Sequence, residues 1–116
     1  MQSQAATVDG VKKIIQEDLV ACDGQQSAAF KMYSIEPCPF PILRNGKMES
    51  VMVVARRGAE VIYWEDIEEG FNVSPLGKDG RILDRRCNQD TLGLALDAWI
   101  DGRARTVDVG AAIPVE

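Results

Sequence analysis

Between Arg44 and Ser74 turn signals alternate with short apolar runs, and the longest continuous one, Val51–Ala55, is too short for a helix of its own. Arg44-Asn45-Gly46-Lys47 and Arg56-Arg57-Gly58-Ala59 read as tight reversals, with Asn-Gly the strongest short-range signal for a hairpin. The runs beside them, Val51-Met52-Val53-Val54-Ala55 and Glu60-Val61-Ile62-Tyr63-Trp64, are rich in β-branched and aromatic residues. They predict neighbouring strands of a hairpin. Phe71-Asn72-Val73 resumes the extended pattern after Glu65–Gly70, and Gly77-Lys78-Asp79-Gly80 turns the chain toward a last short strand at Arg81-Ile82-Leu83.

Helical periodicity lies on either side of this centre. Val8, Val11, Ile15, Leu19 and Cys22 recur at spacings of three and four, with Thr7 or Asp9 as the cap and Asp23-Gly24 as the stop. Leu92, Ala95, Leu96, Trp99 and Ile100 form a second stripe, capped by Asn88 or Asp90 and ending at Asp101-Gly102; Gly93 within it suggests close approach to the sheet. Phe30 to Ile35 alternates and reads as a first strand. Three prolines in Glu36-Pro37-Cys38-Pro39-Phe40-Pro41 forbid helix and central strand, so this segment reads as a stiff loop. The expected fold is α+β: a single, mostly antiparallel sheet of four or five strands, with an N-terminal and a C-terminal helix packed on one face. The 116 residues form one domain, with 1–6 frayed and 103–116 an edge strand or loosely ordered tail.

Composition removes several function classes. The 13 basic and 18 acidic residues give a net charge of -5, the wrong sign for a phosphate-backbone binder, so nucleic acid is disfavoured. With no histidine the chain lacks the commonest general base and zinc ligand, and the usual partner of a catalytic Ser or Cys. No apolar run approaches the ~20 residues of a membrane span, and Met1-Gln2-Ser3-Gln4 lacks a signal-peptide start, so the expected compartment is the cytoplasm, away from any membrane. Cys22, Cys38 and Cys87 are widely spaced and odd in number, and read as small, buried or half-buried hydrophobes in a reducing compartment. Cys87, ahead of a helix start and beside Arg85 and Arg86, is the best candidate for a reactive thiol; Asp84, Asp90 and the missing histidine favour an ordinary one.

The densest polar feature is Glu65-Asp66-Ile67-Glu68-Glu69, flanked by Tyr63, Trp64 and Phe71. Crowded carboxylates repel one another, and in a dry cleft they would serve acid/base chemistry or hold a hard cation. A solvated turn, or an acidic patch for a basic protein surface, needs no cleft. The spacing is not that of a calcium loop, and Gly77-Lys78-Asp79-Gly80-Arg81 does not match a phosphate loop. No metal, cofactor or catalytic residue is assigned.

The run Tyr63 to Leu76, with Asp79-Gly80-Arg81-Ile82 and Cys87-Asn88-Gln89-Asp90 after it, resembles small bacterial proteins of the immunity-protein type. That resemblance implies a non-enzymatic partner that blocks a toxin, often a basic nuclease, by presenting carboxylates and aromatics. The expected function is therefore a protein-binding domain that docks a basic partner through Tyr63, Trp64, Glu65, Asp66, Glu68, Glu69 and Phe71. The alternative is a ligand-binding or enzymatic pocket between sheet and helices, with Tyr63, Trp64 and Asp66 or Glu68 at its mouth. The apolar tail from Thr106 to Val115 suggests a homodimer formed by pairing of sheet edges.

Overall fold

Asn45 and Gly46 take positive φ, 52° and 78°, and reverse the chain between strands β1 (Ser34–Arg44) and β2 (Lys47–Arg57). The fold is given by a computed structural model that describes residues 7–83 and 90–102. Strands β3 (Glu60–Glu65) and β4 (Gly70–Pro75) complete an antiparallel sheet in the order β1-β2-β3-β4. The α+β class and the hairpin of β2 with β3 agree with the sequence reading.

Two segments depart from it. Residues 24–33 form a helix, α2 (Gly24–Tyr33), and not a strand, because Asp23 and Gln26 close a capping box over its first turn. Asp23-Gly24 thus starts a helix as well as following one, α1 (Val8–Val20), which Thr7 caps as expected. The proline segment is strand β1 itself and not a loop. Arg44 pairs with Lys47 next to a two-residue turn, which makes that pair the hydrogen-bonded kind; alternation then places Pro39↔Met52 and Pro41↔Ser50 at the other kind. There the proline nitrogen points away from β2, where no N–H is required. The Pro41 carbonyl faces the same outer side, accepting the Ile82 amide at 2.8 Å.

Arg81–Leu83 is not a regular strand. Ile82 bridges Ile42 in parallel and Leu76 in antiparallel fashion, and the Leu83 amide donates to the Pro75 carbonyl at 3.2 Å, so this segment ties β4 back to β1. Both faces of the sheet are therefore buried. On one, Val54, Ala55, Ile62 and Phe71 pack against Val11, Ile15, Leu92, Leu96 and Trp99 of the helices. On the other, Ile42, Val51, Val53, Val61, Tyr63 and Ile82 make a second core. Two buried faces explain why β2 reads as a continuous apolar run.

The C-terminal stripe is shorter than its periodicity predicts: α3 (Leu92–Leu96) passes into a 3-10 turn at Asp97–Trp99. Its cap is Thr91, and the Asp18 carboxylate accepts the Leu92 amide at 2.8 Å. Gly93 approaches Gln26 of α2, not the sheet: a Cβ there would lie 3.1 Å from the Gln26 amide atoms. That amide donates to the Gly93 carbonyl and to Asp97 Oδ1, at 3.2 and 3.0 Å. Residues 1–6, expected to fray, Asp84-Arg85-Arg86, Cys87, Asn88 and the tail from Arg103 lie outside the described residues. No helix among the described residues is long and apolar enough to cross a membrane.

Candidate functional site

The acidic run begins where β3 ends, and strand alternation decides the fate of its first carboxylate. Val61, Tyr63 and Glu65 share the face opposite the helices, so Glu65 is drawn into the second core and is fully buried. Its Oε2 accepts from Arg44 Nη1 at 2.6 Å and from the Ile67 amide at 3.3 Å. Oε1 is buried with no hydrogen-bond partner among the described residues. Arg44, the last residue of β1, also binds Glu49 of β2, at 2.7 Å through Nε and 2.6 Å through Nη2, and Asp66 at 3.4 Å. One guanidinium thus serves three carboxylates from β2, β3 and the turn.

Burial pushes the Glu65 carboxyl above the usual carboxylate range; Arg44 and the Ile67 N–H oppose that shift, while Asp66 and Glu68 reinforce it. For Arg44 burial acts to lower the pKa, but Glu65, Glu49 and Asp66 outweigh it and keep the guanidinium charged. The pair stitches β1 to the end of β3. It leaves the turn beyond Glu65 anchored. The Glu69 amide donates to the Glu65 carbonyl at 2.7 Å and Glu69 takes φ of 60°, a left-handed conformation in an ordinary L-residue.

The structure therefore divides the expected site residues. Tyr63, Glu65 and Phe71 are fully buried and present nothing to a partner; this corrects their assignment to a contact surface. Period-2 alternation puts Tyr63 and Glu65 in one core, and Phe71 belongs to the other, edge-on to Trp64 at 5.0 Å. Trp64, Asp66 and Glu68 are half-buried and Glu69 is exposed. Between them Ile67 is 58% exposed. Ile67 and Arg44 were not legible as site residues: Arg44 reads as part of a turn, and its one signal is that crowded carboxylates require a cation.

None of these residues faces the cleft of about 420 Å3 that lies between α1, α2 and the start of β1. Its walls include Lys12, Ile15, Phe30 and Pro37, and Lys12 and Glu36 form an exposed ion pair of 2.8 Å at its rim. Cys22 and Cys38 are half-buried free thiols; burial, followed by Asp18, Asp23 and Asp97, raises the pKa of Cys22. Among the described residues no group of three or more Cys, Asp or Glu is arranged to hold a metal ion. No family model, curated protein or solved structure matches the chain.

Proposed function

We propose that this chain is a cytoplasmic, non-enzymatic binding domain that docks a basic protein partner through the turn at Asp66–Glu69, in the manner of an immunity-type inhibitor neutralising a basic toxin. One observation carries the reading. Arg44 and buried Glu65 fix the base of the turn, so that the exposed Ile67 stands between Asp66 and Glu68-Glu69 on an anchored loop. An anchored apolar residue between acidic neighbours suits a basic protein surface, because little loop ordering has to accompany binding. Glu69 adds support: a strained residue where glycine is the ordinary choice is the kind of position that function retains.

The test is affinity capture from the native cell at two salt concentrations, with the wild type and with Asp66→Asn, Glu68→Gln, Glu69→Gln combined. Glu65 is left intact because its role is structural. The expected result is a basic partner recovered by the wild type, released by salt and lost with the variant. Equal recovery by both proteins refutes the acidic-turn reading. The cleft beside Lys12 and Glu36 supports a second reading, a small-ligand site, since its volume lies within the range of roughly 300–1,000 Å3 usual for such sites. Ligand-induced stabilisation abolished by Phe30→Ala, with capture unaffected by the turn variant, would favour that alternative.

A further inference from the structure

On the helix-side face of the sheet the β1–β2 hairpin extends past the helices as an apolar strip. Its residues follow from the register: Leu43↔Met48, Pro41↔Ser50 and Pro39↔Met52, with Met52 in turn opposite Trp64. Met48 is 56% exposed and Leu43 39%; Met52 and Trp64 are half-buried where the helix-side core begins. The β2–β3 ladder ends at Met52↔Trp64, and Arg44, which joins Glu49 of β2 to Glu65 and Asp66, holds the acidic turn next to this end of the hairpin. The strip thus runs from the core margin to the hairpin tip, with the acidic turn along one side.

We propose that this strip is a docking platform for an amphipathic helix of a protein partner, apolar on the face it lays across Leu43, Met48 and Trp64 and rich in Lys and Arg on the flank beside Asp66, Glu68 and Glu69. The proposal rests on the docking reading above and names the partner's chemistry. Length agrees: Met48 to Met52 spans about 14 Å of strand, the rise of roughly nine helical residues. The sheet edge excludes the other common mode. Pro39 and Pro41 remove two outward N–H donors from β1, and the Pro41 carbonyl is already taken by Ile82, so an incoming strand finds no ladder to join. A second copy would set one acidic turn near another on chains of net charge -5, whereas a basic helix complements them.

Methionine methyl NMR provides reporters with an internal control, because Met48 and Met52 lie on the platform while Met32, 72% exposed, lies on α2. The probes are an 18-residue amphipathic Leu/Lys helix and an alternating Thr/Lys peptide of equal charge, each added to the full chain at low salt. The expected result is that the Leu/Lys helix shifts Met48 and Met52 and leaves Met32 in place, and that the alternating peptide binds more weakly. Leu43→Ser with Met48→Ser, both at exposed positions, should weaken the helix at least about tenfold when Met52 reports the binding. Shifts of equal size at Met32 would overturn the proposal as unspecific apolar binding. Equal binding of both peptides, lost with the Asp66, Glu68 and Glu69 amides and indifferent to Leu43 and Met48, would leave the acidic turn standing and overturn the platform. Binding of neither peptide would overturn both. Met48 shifts that depend on protein concentration, without peptide, would assign the strip to a second copy.

Discussion

Replacing Arg44 by methionine isolates the buried ion pair with Glu65 that anchors the turn. The side chains of Arg44 and Glu65 are 11% and 1% exposed, so the substitution strands a carboxylate whose Oε1 already lacks a partner among the described residues. Breaking a buried pair from one side costs about 3–5 kcal/mol, a large part of the roughly 5–15 kcal/mol that holds a domain folded. At a urea slope of about 1.5 kcal/mol per molar, the unfolding midpoint should fall by roughly 2–3 M. The loss must also depend on pH. Glu65 titrates above the ordinary carboxylate range in the folded chain, so on acidification the folded state takes up its proton first. The penalty of the buried charge is therefore fully present above the folded pKa and is relieved as pH falls through it toward the unfolded value near 4.3. Without Arg44 that folded pKa rises further, so the variant should lose more stability at pH 7 than at pH 5. Arg44→Met with Glu65→Leu should recover most of the loss, since an apolar pair of similar volume substitutes well for a buried ion pair. Urea titrations of the wild type and the two variants at both pH values measure all of this. A midpoint within about 0.3 M of wild type at pH 7, or a loss that grows on acidification, would refute the reasoning.

Other positions give sharper local tests. Glu69→Gly relieves a left-handed residue and should stabilise the chain by up to about 1 kcal/mol, read from the same urea titration; a net loss would show that the Glu69 side chain holds the turn. Gly93→Ala would gain helix propensity of about 1 kcal/mol in an open site, but here the new Cβ meets the tethered Gln26 amide at 3.1 Å, so a net loss of stability is expected. In a variant with Cys38 and Cys87 changed to serine, the Cys22 thiol should react with iodoacetamide with a midpoint above the usual ~8.5, because burial and nearby aspartates disfavour its thiolate. A midpoint below that value would contradict the assigned environment.

Much of the fold is legible wherever local chemistry and tertiary packing agree. Asn45-Gly46 specifies its reversal through backbone conformation alone, and Thr7 caps α1 through a hydrogen bond three residues away. Phe30–Tyr33 misleads, although Ser34 and Ile35 do begin β1, because a half-buried helix with few apolar residues offers no clear 3.6-residue period, and the decisive signal, Asp23 with Gln26, lies seven and four residues upstream of Phe30. The prolines of β1 mislead for a different reason. Proline forbids a central strand, but the rule concerns which way the missing N–H would have pointed, and only the register supplies that direction.

The candidate site shows the same limit from the side of charge. Four carboxylates in five positions are visible to any reader of the sequence, yet strand parity turns Glu65 inward and leaves its neighbours near the surface. Parity could have been inferred from Tyr63, but only by deciding first that both faces of the sheet are covered, which depends on Ile82 reaching back to Pro41. Arg44 was hidden more deeply still, because it lies 21 residues from Glu65 and its neighbour in sequence is a turn. What the composition presents as one acidic patch is thus two things: a buried carboxylate that binds a strand end to the turn, and a half-buried to exposed group on the turn that this bond anchors. Removing Glu65 and removing Glu69 should accordingly give opposite signatures, loss of folding in the first case and loss of docking with folding intact in the second.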